Sequence, residues 1–193
     1  MKKGKIIGGV LAVLMLCGVL VGCSANSAQT EPYEKGTITE TEFTSKWMGL
    51  KYTLPNDMVM MTEEYLESQA ASGRVQMEMQ ALKADNSGDN IVVLTEGLSS
   101  ASSIDEKRYI ELSKPQIETL ADEVTFDEVR QRTIAGEEFY ELPYHLTMEV
   151  NGVNVEMNQT FLCKKRGDRM ICMTLTHSGE DSIHYLLAGF SKI

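Results

Sequence analysis

The sequence predicts an α+β domain: a mostly antiparallel sheet with helices on both faces. Three observations carry that expectation. Residues 129–175 read as consecutive strands joined by tight turns, with Gly136, Asn151-Gly152 and Gly167-Asp168 as the turn signals. Helical stretches stand before and after this run instead of alternating with single strands, which favours an antiparallel over a parallel sheet. In the last hairpin both faces are apolar. Leu162, Ile171, Met173 and Leu175 fall on one side, and Phe161, Cys163 and Cys172 on the other, so both need a covering layer.

Residues 1–22 are set apart from the fold. Lys2, Lys3 and Lys5 precede an apolar run from Ile6 to Val21. That run is short for a membrane span and has the flanks of a secretory signal. It ends in Leu20-Val21-Gly22-Cys23, which resembles the lipobox of bacterial lipoproteins. The resemblance implies cleavage before Cys23 and a diacylglycerol on its sulfur, a step that needs a thiol. Cys23 is therefore the expected lipidation site and the membrane contact, on the extracytoplasmic side of the cell membrane. Residues 23–36 are small and polar without an apolar period, and read as a lipidated cysteine followed by a flexible tether. Residues 37–193 form the single globular domain.

Without residues 1–22 the chain holds 15 basic and 28 acidic residues, a net charge of −13. A strongly acidic chain excludes nucleic acid or an anionic lipid surface as the main partner.

Within the domain, Thr37–Leu54 alternates as strands around a turn at Gly49, and Pro55-Asn56-Asp57 turns the chain. Thr62 caps a short helix with Glu63 and Glu64 in its first turn, and Gly73 is placed to end it. Val75, Met77, Met79 and Ala81 alternate with Gln76, Glu78 and Gln80, the pattern of a half-buried strand. A turn at 86–89 leads to Ile91–Leu94, apolar throughout like a strand buried on both faces. Ser103-Ile104-Asp105-Glu106 reads as a capping box opening a helix that Pro115 should kink or divide. The acid-rich stretch after it reads as a solvated helix or loop face. Asn151-Gly152 fits a type I′ hairpin turn. A final helix is expected near Glu180–Ala188, capped by Ser178, with Phe190 returning to the core.

The segments "GLKYTLPNDMVM", "TIAGEEFYEL", "YHLTMEV", "TFLCKK" and "MICMTLTHSGEDSIHYLLAGF" together resemble PsbP-like domains over most of residues 37–193. Such domains often carry Trp after the proline turn, where this chain has Met58. The resemblance implies an α/β/α sandwich and a noncatalytic accessory or binding role. It contributes no catalytic residues.

Few residues suggest chemistry. With Gly167-Asp168 central in its hairpin, Cys163 faces Cys172 at a non-hydrogen-bonded pair, close enough for a disulfide. Two readings stand level: a cross-strand bridge, or two reduced thiols packed as small hydrophobes. His177, Glu180, Asp181 and His184 are metal-ligating types, but the two acids already suit a first helical turn and no metal is expected. Arg166-Gly167-Asp168 spells an adhesion tripeptide on a turn that needs Gly-Asp for its own geometry. No phosphate-binding loop or nucleophile motif appears, so no cofactor and no enzyme activity is expected. The expected function is a membrane-anchored, noncatalytic accessory or interaction module of the cell envelope with an unknown protein or small ligand as partner. The alternative is a ligand-binding lipoprotein with a cleft lined by methionines such as Met58, Met60, Met61, Met77 and Met79.

Overall fold

A computed structural model describes residues 32–69, 74–85, 87–98 and 104–193. The lipobox with Cys23, Gly73 and Ser103 lie outside the described residues. The described residues build two sheets and three helices. Strands β1 (Thr37–Ile38), β2 (Glu42–Ser45), β3 (Leu50–Thr53) and β12 (Phe190–Lys192) form a small sheet in the order β1-β2-β3-β12. The large sheet runs β4 (Met58–Met60), β5 (Val75–Lys83), β6 (Asn90–Gly97), β11 (Arg169–His177), β10 (Val153–Arg166), β9 (Glu137–Val150), β7 (Glu123–Phe126), with β8 (Arg130–Ile134) also on β9. All these pairings are antiparallel.

Each face of the large sheet has its own core. On one, Met77, Leu94, Phe161 and Leu142 pack beneath Leu66 of α1 (Glu63–Gln69) and Tyr109, Ile110 and Ile117 of α2 (Glu106–Glu118). On the other, Met79, Val93, Met173 and Leu162 meet Phe43, Leu50 and Tyr52 of the small sheet and Ile183 and Leu186 of α3 (Glu180–Leu187). Helices thus stand on both faces, as expected, and a second sheet shares one of those faces with α3.

The meander obeys its turn residues. Asn151 and Gly152 have φ of 54° and 79°, as a type I′ turn requires. Arg166 pairs with Arg169, and three steps further Cys163 pairs with Cys172, the expected register. The Thr62 hydroxyl accepts from the Tyr65 N–H at 3.3 Å and caps α1.

Five expectations are corrected. Helix α2 is capped by Asp105, whose Oδ1 accepts from the Arg108 N–H at 2.8 Å. It runs unbroken through Pro115. Pro115 and Glu111, whose carbonyl loses its donor, both lie on the exposed side, where water can take that bond. Helix α3 begins after Gly179 with no side-chain cap, because the Ser178 hydroxyl turns to Asp89. The acid-rich stretch after α2 contains β7, whose Val124 and Phe126 turn inward while Glu123 and Thr125 turn out. Finally, β5 carries a bulge between Met77 and Met79. The extra residue, Glu78, reverses the phase of the strand. Met77 therefore joins the core under α1 and α2, Met79 joins the other, and Glu78 is fully buried.

Candidate functional site

The fourteen-residue strand β10 connects two poles of unlike character.

At its C-terminal pole, buried Glu78 gathers three donors: the Tyr33 hydroxyl at 2.6 Å, the Gly36 N–H at 3.0 Å and the Thr95 hydroxyl at 3.2 Å. A carboxylate without solvent must have such partners. Tyr33 also meets Trp47 edge-on, with ring centroids 5.3 Å apart, and the Arg169 guanidinium lies 3.9 Å from its ring centre. Burial first, then the Glu78 carboxylate, push the Tyr33 hydroxyl pKa well above its ordinary value. Gly36 lies where a Cβ would run into the Phe43 ring. Tyr33, Lys35 and Gly36, which the sequence places in the tether, are thus fastened to the domain; Lys35 reaches Glu63 at 2.8 Å. The adjacent hairpin tip is equally engaged. Arg166 lies over Trp47 and reaches the Met48 carbonyl at 3.5 Å, while Lys165 donates to the Ile104 carbonyl at 2.9 Å. Arg166 is thereby drawn onto the body of the domain, away from the splayed presentation that the Arg-Gly-Asp reading requires.

At the opposite pole β9 and β10 outrun their neighbours. The β7 pairing ends at Thr147 and the β11 pairing begins at Asn158. Beyond them Met148 pairs with Val155, Glu149 with Asn154 and Val150 with Val153, a two-stranded arm. One of its faces is apolar: Met148, Val150, Val155 and Met157 continue the α2-side core, and Val153 is 63% exposed. Between the arm and the chain leaving α2 lies an open cleft of about 480 Å³, lined by Leu120, Ala121, Asp122, Met148, Glu149 and Val150 among others. Asp122 Oδ2 accepts from the Glu149 N–H at 2.8 Å and joins the two walls. Residues 115–129 hold five acids and residues 143–163 two, with no lysine or arginine in either stretch.

A third polar group holds α3. Glu141, on β9, is buried and binds Arg132 at 2.7 and 3.0 Å and Arg130 at 3.0 Å. Arg132 also binds Glu180 at 2.7 Å. Burial pushes the Glu141 pKa up, and the two guanidinium groups more than offset this, leaving it below the ordinary carboxylate range. Glu180 is thus occupied by arginines. His177 faces the Thr160 hydroxyl, 3.0 Å from Nε2, and burial lowers its pKa. Among the described residues no group of three His, Cys, Asp or Glu side chains is arranged to hold a metal ion.

Cys163 and Cys172 are both buried, and no disulfide joins them in this structure. Each Sγ points to α2, Cys163 to the Glu106 carbonyl at 3.6 Å and Cys172 to the Tyr109 hydroxyl at 3.5 Å. The five methionines named for a cleft divide between the two cores: Met61 and Met77 pack on one side of the sheet, and Met58, Met60 and Met79 on the other. Sequence reasoning missed Glu78 and Tyr33, because a bulge leaves no mark in composition, and missed the arm, because its length depends on where neighbouring strands stop.

This architecture is an α+β fold of the PsbP type. The chain is similar to the solution structure of cyanobacterial PsbP (CyanoP) from Synechocystis sp. PCC 6803, at 14% identity and a TM-score of 0.51, over 87% of this chain and 98% of that one. It is also similar to the crystal structure of LpqN, a Mycobacterium tuberculosis protein involved in cell envelope biogenesis. There the identity is 14% and the TM-score 0.48, over 74% of this chain and 82% of the other. No family model matches the sequence, and no curated protein matches it. Among the described residues no helix is long and apolar enough to cross a membrane.

Proposed function

We propose that this chain is a lipid-anchored extracytoplasmic lipoprotein, a noncatalytic interaction module of the cell envelope. One pole of its sheet is tied to the membrane and the other is offered to a partner. The observation that carries the reading is the arm, an apolar-faced ribbon that reaches past its neighbouring strands and leaves Val153 exposed at its tip. An uncovered strand edge of this kind presents backbone groups to which another chain can add.

The anchor side supports the same geometry. With lipid on Cys23 and Tyr33 docked, nine residues separate the membrane from the domain, a reach of at most about 30 Å. Tyr33 bonds to Glu78 beside Thr95, which is level with Ile171 and Lys164 across the sheet. Val153 lies eleven steps along β10 from Lys164, about 35 Å of strand. The tethered pole stays near the bilayer and the arm stands away from it.

Two measurements in intact cells test the reading. Cys23→Ala should abolish lipid labelling and processing before residue 23; continued labelling and cleavage there would remove the anchor. A photo-crosslinking residue at Val153 should give a discrete adduct that the same residue at exposed Ser191, on the small sheet, does not. Equal yields at both positions would mean that the arm is ordinary surface.

A further inference from the structure

We propose that the arm receives an extended, lysine- or arginine-bearing protein segment, which adds as a strand along the edge of β10 at Val153–Met157. This rests on the reading of the arm as the recognition pole and names the chemistry and mode of its partner.

The edge comes first. Strand β11 covers β10 only from Asn158 onward, and among the described residues no strand pairs with that side of Val153–Met157. Val150 and Val153 close a two-residue turn and are hydrogen-bonded to each other, so the bonding alternates from there. By that alternation Val153, Val155 and Met157 aim their backbone groups at β9. Asn154 and Glu156 aim theirs outward, in phase with Asn158, which meets His177 across β11. An incoming strand would prolong the line of β11 past the point where the chain leaves for α3. Its backbone would pair with Asn154 and Glu156. Its alternate side chains would lie on the apolar face formed by Val153, Val155 and Met157, the general logic of strand addition.

Charge selects the occupant. Glu156 is exposed on this edge and Glu149 on the neighbouring strand of the arm, while Glu118, Asp122 and Glu123 are exposed beyond β9, on the side of the cleft. None is answered by a lysine or arginine within residues 115–129 or 143–163. A second copy of the arm would set these acids against their own kind, and like charges on paired strands repel. An anionic bilayer is repelled for the same reason. Glu156 on the edge therefore discourages neutral and acidic strands while leaving basic ones favoured, so one residue both guards the edge and chooses its partner.

The full lipidated chain in uncharged nanodiscs can be probed with a synthetic peptide of alternating lysine and valine. We expect slowed amide exchange at Asn154 and Glu156 on peptide addition, and binding that weakens as salt rises. N-methylation of the peptide's pairing amides should abolish the effect. Glu149→Lys with Glu156→Lys should weaken binding by about tenfold or more. Unchanged binding by the N-methylated peptide would exclude strand addition. Equal binding by a glutamate–valine peptide would exclude cation selection. Protection of the Asn154 and Glu156 amides before any peptide is added would show that the edge is already filled by the chain itself or by a second copy. Any of these overturns the inference. A Val153 adduct in cells alongside such a result would leave the arm's recognition role standing and remove only its cationic strand partner.

Discussion

The two ends of β10 are both two-residue hairpin turns, yet they are built for opposite ends. At Gly167-Asp168 the flanking side chains are used up internally: Arg169 on Tyr33 and Thr95, Arg166 on Trp47, Lys164 on Glu137. At Asn151-Gly152 the flanking residues are two valines, and residues 143–163 around them hold two acids and no lysine or arginine. The first end spends its polar groups on holding the N-terminal segment, and the second keeps its groups for something outside the chain. A turn's sequence therefore gives its geometry; what lies beside it decides whether it stabilises or recognises.

The largest effect that would sharpen this contrast lies in neither hairpin but in the group that holds α3 to the sheet. Glu141→Ala strands Arg132, which is largely buried and keeps only Glu180. Removing one partner of a buried ion pair costs about 3 kcal/mol, so the whole domain should melt much earlier. Because the folded pKa of Glu141 is depressed, its contribution is present above the unfolded value of about 4.3 and is lost as pH falls through the folded one. Glu141→Gln should lower stability at neutral pH and flatten its acid dependence. An unchanged acid limb by denaturant titration would show that another carboxylate sets it.

Next in size is the thiol pair near the engaged pole. Their facing register sets them at adjacent positions across the two strands, and we propose that a bond forms between them during oxidative folding outside the cell. Closing so short a loop would add about 2–3 kcal/mol, at the loss of the present contacts to α2. Mass spectrometry of the non-reduced, alkylated chain should then show a species two hydrogens lighter and unlabelled. Two labelled thiols after unfolding would identify them as core cysteines only.

The fastening of the N-terminal segment should rank third. Tyr33→Ala removes the hydroxyl from Glu78, the edge contact with Trp47 and the guanidinium stack. A loss of about 2 kcal/mol is expected, with part recovered in Tyr33→Phe, which keeps the ring. Protease sensitivity at residues 33–36 should rise in step. An unaltered digestion pattern in Tyr33→Ala would show that Gly36 and Lys35 suffice to hold the segment.

How far the sequence foretold all this divides along physical lines. Long strands with obligate turns were legible, since Asn151-Gly152 and Gly167-Asp168 leave one register each. So was the Thr62 cap, which is local chemistry. Short elements were not: β7 shows only four alternating residues and its acids argue for solvent, while β4 and β12 have three residues each. Glu78 was misplaced because alternation assumes an unbroken pairing, and a bulge inverts every position beyond it. The acidic pole was hidden inside a net charge, which sums over the chain and says nothing of where its members meet.

The smallest expected effect compares the two turns directly. Gly152 has φ of 79° and Gly167 φ of 60°, and a Cβ on Gly152 would meet nothing within 4 Å. Valine there would suffer from backbone conformation alone, worth about 1 kcal/mol or more. The cost should be spent differently at the two ends. Gly167→Val loosens a tip whose arginines grip Trp47 and Tyr33, so the strain opposes the global fold and lowers the melting midpoint. Gly152→Val strains an arm that β7 and β11 do not hold, so the arm can fray and release the strain without unfolding the core. The midpoint should move less, while amide exchange over residues 148–155 rises sharply. The same variant should lose the Val153 adduct in cells, because a frayed arm no longer presents a formed edge. Equal shifts in midpoint for the two variants would show that the arm is as tightly coupled to the core as the tip, and the division between a holding pole and a presenting pole would fall.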